Sequence, residues 1–173
     1  MGDAMAKGGK RRIDRILEPA FLEGLSVAPL ETLRAKRDEC AEEESILSYE
    51  RSLIHTRLRL LKDEQDQRVS PEPRRSIIDR LPEILADDEV KHRGSFPSLD
   101  APPIFDNPRR RVEKLINDDT LARLPELSDD EIRAAIAALD EAEREVSETR
   151  KAIHVVLDRC IEEIGRRKAG ADV

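Results

Sequence analysis

The residues best suited to chemistry in this sequence form a spaced series of polar side chains that occurs twice. In the C-terminal third, a glutamate, a serine, an arginine, a histidine and an aspartate follow one another at intervals of four, three, four and four residues. The same spacing occurs nearer the N-terminus, except that an arginine occupies the last position. The first copy is Glu44, Ser48, Arg51, His55 and Arg59, and the second is Glu143, Ser147, Arg150, His154 and Asp158.

Each copy would form a polar stripe on one side of a helix. At about 100° per residue, an α-helix places all five positions of a copy within roughly 80° of its circumference. A shift of 99 residues aligns 31–64 with 130–163, and ten of these 34 positions are identical, including two of the three histidines. The alternative is a solvated face with ion pairs within each helix, which does not account for the repeat. The repeated spacing favours two equivalent functional stripes.

The residue types in the stripes suit a guanine ligand. An arginine fork pairs with guanine O6 and N7 and stacks on bases. A carboxylate accepts hydrogen bonds from guanine N1–H and N2–H, and serine and histidine can bond phosphate or ribose. If the helices pair antiparallel, so that facing residue numbers sum to 200, an approximate two-fold axis relates the stripes. Such an arrangement would suit a two-fold symmetric ligand.

Two long helices must position the stripes, and the prolines leave room for them. Eight of the ten prolines lie between Pro71 and Pro125, and neither 30–70 nor 126–173 contains one. Both segments carry an apolar residue every seven positions, as in a coiled coil. In the first helix these are Leu33, Cys40, Leu47, Ile54 and Leu61, and in the second they are Ile132, Leu139, Val146, Ile153 and Cys160.

The sequence therefore predicts an all-α fold, a long antiparallel helical hairpin with an irregular, partly helical, Pro-rich connector. Ser128 and Glu131 form a capping box at the start of the second helix, and Gly165 with the basic Arg166, Arg167 and Lys168 suits a helix end. Within the connector, helical pieces are expected over 74–87 and 108–124, and their apolar residues either pack on the hairpin or bind a partner. The predicted segments are 1–28, largely flexible; 29–68, first helix; 69–127, connector; 128–168, second helix; and 169–173, flexible tail.

Composition excludes several classes of protein. Charged residues make up 40% of the chain, and only three Phe and one Tyr are aromatic, too few for the core of an ordinary α/β enzyme. A net charge of −7 disfavours direct nucleic-acid binding, and no apolar run is long enough to span a membrane. We expect a cytoplasmic protein in which Cys40 and Cys160 are reduced seam residues.

The doubled motif resembles the cyclic di-GMP signature of the RsiG family of anti-sigma factors. That family carries Glu, Ser, Arg, Gln and Asp at these spacings, on one or both helices of an antiparallel coiled coil. The resemblance implies that the ten stripe residues bind cyclic di-GMP, as a dimer, without a catalytic residue, a metal or a cofactor. It further implies that the loaded hairpin holds a WhiG-class sigma factor away from RNA polymerase.

Two positions depart from the family pattern. His55 and His154 replace glutamine, and Arg59 replaces the acid, which removes one guanine acceptor from the first copy. The site could therefore lie in one hairpin, which we favour, or use the complete second motif of two chains. A ligand-independent coiled-coil adapter remains the main alternative, whereas neither an enzyme nor a metal site at the two histidines has further support in the sequence.

Overall fold

The computed structural model describes residues 11–71, 73, 75–91 and 119–171, and these residues form helices joined by turns. They contain no β-strand, and a long first helix packs against a long last helix, so the predicted all-α helical hairpin is confirmed. The helices are α1 (Arg12–Ile16), α2 (Pro19–Leu22), α3 (Leu30–Val69), α4 (Ile77–Lys91) and α5 (Asp129–Ala171), with a 3₁₀ turn at Leu124–Glu126.

The capping box at the start of α5 forms as predicted. The Glu131 backbone N–H donates to Ser128 Oγ at 3.3 Å, and the Ser128 N–H donates to a Glu131 carboxylate oxygen at 2.7 Å. Each side chain thereby satisfies a backbone donor that the helix itself leaves unpaired. This reciprocal bonding explains why the helix begins here.

Helix α5 continues through Gly165 and ends at Ala171, three residues beyond the predicted end at 168. A glycine inside a helix costs only about 1 kcal/mol, and contacts on either side of it offset that cost. Glu163 accepts hydrogen bonds from Arg166 at 2.6 Å and Arg167 at 2.8 Å. Arg167 also donates to the backbone carbonyls of Leu25 and Ala28, so that the helix continues to Ala171.

The seam between the long helices is built from the predicted heptad residues. All ten of them are buried, with exposed fractions between 0% and 4%. The thiols of Cys40 and Cys160 lie within hydrogen-bonding reach, as expected at a register sum of 200. Burial, followed by the neighbouring Cys160, raises the pKa of Cys40 to about 12, so both residues are free, protonated thiols.

The chain divides into two compact units, and both long helices contribute to each of them. The first unit comprises residues 1–44 and 149–173, and the second comprises 45–148. Contacts of α3 with α5 run antiparallel in both. In the first unit, Glu44 contacts Arg150, and in the second, Arg68 contacts Asp129.

In the first unit, the N-terminal segment packs on the hairpin. The sequence predicted a largely flexible segment over 1–28; residues 1–10 lie outside the described part, and from Arg12 the chain forms α1 and α2. Ile16 is fully buried, and Arg12 binds Glu42 at 2.8 Å and the buried Glu43 at 2.9 Å. Because a buried carboxylate requires a partner, these ion pairs order the segment.

In the second unit, a buried arginine of α4 forms ion pairs with α3. Arg80, only 3% exposed, donates to Asp63 and Glu64 on α3. Glu64 also binds Arg68, which reaches the backbone carbonyls of Leu124 and Leu127 before α5. The first connector helix, predicted over 74–87, is confirmed with shifted bounds, whereas most of the piece predicted over 108–124 lies outside the described residues.

The buried seam should dominate stability. Replacement of the fully buried Ile153 with alanine should lower the free energy of unfolding by about 2–4 kcal/mol, because it leaves a cavity between the helices. The same change at Ile161, which is 49% exposed on the same helix, should cost less than about 1 kcal/mol. Urea unfolding followed by circular dichroism measures both values, and equal losses would contradict the observed seam.

Candidate functional site

Four predicted stripe residues meet around one carboxylate in the second unit. Glu143 Oε1 accepts a hydrogen bond from Arg51 Nε at 2.9 Å and from Ser147 Oγ at 2.8 Å, and His55 Nε2 lies 3.2 Å away. Arg51 Nε also contacts Ser147 Oγ at 3.1 Å. We call Arg51, His55, Glu143 and Ser147 the Glu143 cluster.

Three more stripe residues repeat this arrangement in the first unit. Glu44 Oε1 accepts a hydrogen bond from Arg150 Nε at 2.7 Å, and His154 Nε2 lies 3.3 Å from the same oxygen. We call Glu44, Arg150 and His154 the Glu44 cluster. Each residue of the Glu44 cluster therefore corresponds to a residue of the Glu143 cluster on the other long helix. The distances from the carboxylate oxygen to the arginine and histidine nitrogens are nearly the same in both.

The two clusters also match in exposure. The side chains of Glu143 and Glu44 are 22% and 20% exposed, and those of Arg51 and Arg150 are 35% and 34% exposed. The imidazoles of His55 and His154 are 44% and 42% exposed. Each cluster thus presents a cation and an imidazole to solvent above a more buried carboxylate.

Sequence reasoning missed the pairing between helices. It treated each stripe as the face of one helix, whereas in the structure each glutamate binds the arginine and histidine of the opposite helix. The available signal was the register, because at a sum of 200 Glu143 lies opposite position 57, one turn or less from His55. Opposite charges at nearby facing positions of an antiparallel seam predict ion pairs between the helices.

The remaining stripe residues are Ser48, Asp158 and Arg59. Ser48 is half-buried on α3, and Asp158 is exposed on α5, one turn after His154. Arg59, in the position of the acid, donates through Nη1 to the backbone carbonyl of Ile84 on α4 at 3.4 Å. Tyr49, beside the motif, is 40% exposed.

Glu143 is held in its charged form. Partial burial raises the pKa of its carboxyl, but hydrogen bonds from Ser147, Arg51 and His55 outweigh that effect and lower the pKa to about 2. The carboxylate therefore keeps its charge throughout the physiological range. A negative oxygen beside a guanidinium and an imidazole offers an acceptor and two kinds of donor within one small area.

Neither a metal centre nor a membrane span is found in the part of the chain that the structure describes. No group of three or more His, Cys, Asp or Glu side chains there is placed to hold a metal ion. None of the described helices has the length and apolar content needed to cross a bilayer. The chemistry of both clusters is that of charge-assisted hydrogen bonding.

Comparison with known families supports the resemblance drawn from the motif. Residues 19–85 match the model of a family described as RsiG-like, which confirms that resemblance over this range. The match covers α2, α3 and the first half of α4, and thus the whole first stripe, and it ends before α5. No curated protein sequence matches the chain.

The depressed pKa of Glu143 predicts a dependence of stability on pH. Its folded pKa of about 2 lies below the ordinary value of 4.5, so the charged carboxylate stabilises the fold above pH 4.5. That contribution, about 1 kcal/mol for a part-exposed group, is lost as the pH falls towards 2. Glu143→Gln should remove it.

The measurement is the free energy of unfolding of the native chain minus that of Glu143→Gln, from about pH 6 down to about pH 2.5. This difference should shrink as the pH falls. Glu148→Gln, an exposed residue on the same helix, is the matched control and should differ little from the native chain at any pH. A difference for Glu143→Gln that stays constant over the range would contradict the charged cluster.

Proposed function

We propose that this protein is an anti-sigma factor that binds cyclic di-GMP through the Glu143 and Glu44 clusters. The observation that carries the proposal is the duplicated cluster itself, in which glutamate, arginine and histidine recur with matching distances and exposures. The RsiG-like match over residues 19–85 supports the anti-sigma role. The ligand and the class of sigma factor come from the resemblance of the motif.

The chemistry of each cluster suits guanine. The contacts to carboxylate use the Nε–H of Arg51 and of Arg150, and an arginine fork carries two further nitrogens that can bind guanine O6 and N7. A glutamate oxygen accepts from guanine N1–H and N2–H. Guanine would therefore form hydrogen bonds with both members of an existing Glu–Arg ion pair.

Cyclic di-GMP is anionic, and the imidazoles and Arg59 can provide hydrogen bonds and positive charge for it. Neutral histidine donates one hydrogen bond and accepts another, so His55 and His154 can take the place that glutamine has in the family motif. Arg59 lies one turn beyond His55 on α3 and provides a positive charge suited to phosphate. Asp158 adds an acceptor for guanine in the other copy, so the two copies would bind with unequal strength.

Opening the clusters for a ligand requires little free energy. An ion pair between side chains that are a fifth to two fifths exposed contributes about 1 kcal/mol or less. The seam beneath is fully buried and does not have to move. Ligand binding would therefore change side-chain partners on a fixed pair of helices.

Control of a sigma factor follows from thermodynamic linkage. If loaded protein binds the sigma factor more tightly than empty protein does, then the sigma factor must tighten ligand binding by the same factor. The sigma factor would be sequestered from RNA polymerase only while cyclic di-GMP is abundant. A ligand-independent adapter, the alternative, would bind its partner equally well at all nucleotide concentrations.

Isothermal titration with cyclic di-GMP tests the ligand, with GTP and cyclic di-AMP as controls. The double variant Arg51→Ala, Arg150→Ala should lower the affinity at least 100-fold, because both guanidiniums are lost, while circular dichroism reports unchanged helicity. The matched double variant Arg133→Ala, Arg144→Ala removes two exposed arginines of α5 that pair within the helix. It should bind like the native chain.

Two results would contradict the ligand assignment. One is retained affinity for cyclic di-GMP in the Arg51→Ala, Arg150→Ala variant. The other is absence of binding by the native chain both alone and with a WhiG-class sigma factor present. The second result would favour the adapter.

A further inference from the structure

Helix α4 contacts α3 through a buried arginine and leaves two apolar residues exposed. Arg80 faces α3 and is 3% exposed, whereas Ile78 is 76% exposed and Leu81 is 38% exposed. In an ordinary surface helix the apolar residues face the core and the charged residues face water. This helix therefore displays apolar side chains that the fold itself does not use.

The orientation is imposed by ion pairs. Arg80 donates to Glu64 at 3.1 Å and also binds Asp63, both on α3. Rotating α4 to bury Ile78 would pull Arg80 away from both carboxylates. Separating a buried charge from its partner is strongly unfavourable, so the outward position of the apolar residues is fixed.

The exposed pair can act as one contact surface. Ile78 and Leu81 are three residues apart and are neighbours on the helix surface. Ile77 and Ile84, two other apolar residues of α4, are half-buried. Of the two alternatives for the connector's apolar residues, packing on the hairpin does not describe the exposed Ile78 and Leu81.

The charge beside this pair indicates what would cover it. Asp79 is exposed on α4, and Glu83, whose side chain is 66% exposed, pairs with Arg75 at 2.9 Å. Over its full length, Ile77–Lys91, the helix sequence contains five acidic residues and two basic ones, and the basic Arg80 is neutralised by α3. Two exposed apolar side chains with an acidic margin complement an apolar stripe flanked by lysine or arginine.

We infer that α4 is a docking surface for a basic amphipathic helix of the sigma factor, with Ile78 and Leu81 as its apolar anchors. The inference rests on the proposed function for the identity of the partner. The RsiG-like match supports it, because the matched range extends along α4 through both anchors. Proteins that bind DNA carry basic surfaces, and a sigma factor therefore offers helices of the required charge.

The test compares full-length variants for binding to a WhiG-class sigma factor at saturating cyclic di-GMP. Ile78→Glu, Leu81→Glu should weaken sigma binding at least tenfold, because it places acidic groups in an apolar contact. The same variant should bind cyclic di-GMP like the native chain. Val27→Glu, at an 84% exposed valine before α3, is the matched control and should leave both affinities unchanged.

A second variant tests the acidic margin. Asp79→Lys should weaken sigma binding at low salt and reduce the dependence of that affinity on salt concentration, because one attractive pair is replaced by a repulsive one. Ile78→Ala, Leu81→Ala removes the anchors without adding charge and should also weaken binding. Circular dichroism of each variant confirms that helicity is retained.

Three outcomes overturn the inference. Native-like sigma affinity in both Ile78/Leu81 variants would show that the face is ordinary exposed surface. The same affinity together with loss of a native dimer, measured by light scattering, would assign the face to a second copy of the chain. Absence of sigma binding by the native loaded chain would overturn the proposed function. If the native chain binds the sigma factor and the Ile78/Leu81 variants bind it equally well, only the docking surface is overturned.

Discussion

The seam of heptad residues between α3 and α5 is the constraint on which the other features depend. Ten apolar residues at seven-residue spacing are buried almost completely. Because the two helices run antiparallel in a fixed register, every residue beside the seam has a defined neighbour on the other helix. The polar stripes acquire their partners from that register, and a shift of one turn would separate every pair.

The charged side chains of the two clusters are partly buried. A fully buried ion pair would be costly to open, and a fully exposed one would contribute little. Glu143 and Glu44 are about four-fifths buried and their arginines about two-thirds. At this depth the carboxylates remain charged and ordered, while the guanidiniums and imidazoles stay within reach of a ligand. The same molecule shows the other extreme in Glu43, a fully buried carboxylate whose contact with Arg12 orders the N-terminal segment.

Features that depend on local periodicity could be predicted from the sequence. Features that depend on an ion pair with another segment of the chain could not. Heptad spacing identified the seam residues, the capping box located the start of α5, and the proline distribution separated the two long helices. The packing of the N-terminal segment and of α4 was harder to predict, because it depends on ion pairs of Arg12 and Arg80 with carboxylates on α3. The outward position of Ile78 likewise depends on Asp63 and Glu64, which no pattern within α4 reveals. The helix continues past Gly165 for a related reason, since Arg167 binds the carbonyls of Leu25 and Ala28.

The asymmetry between the two stripes gives the second unit a feature that the first lacks. Arg59 stands where the second copy has Asp158, and its guanidinium donates to the backbone of α4. The first stripe is therefore in direct contact with α4 through Arg59, within one unit.

The central claim is that both clusters exchange internal ion pairs for contacts with one kind of ligand. The most direct measurement is ¹H–¹⁵N NMR of the arginine Nε–H groups during titration with cyclic di-GMP, with Arg51→Lys and Arg150→Lys variants to assign the signals. The account predicts that the signals of Arg51 and Arg150 both shift, whereas those of Arg133 and Arg144 do not, and that GTP at the same concentration has little effect. Unchanged Arg51 and Arg150 signals at saturating cyclic di-GMP, alone and with the sigma factor present, would contradict it.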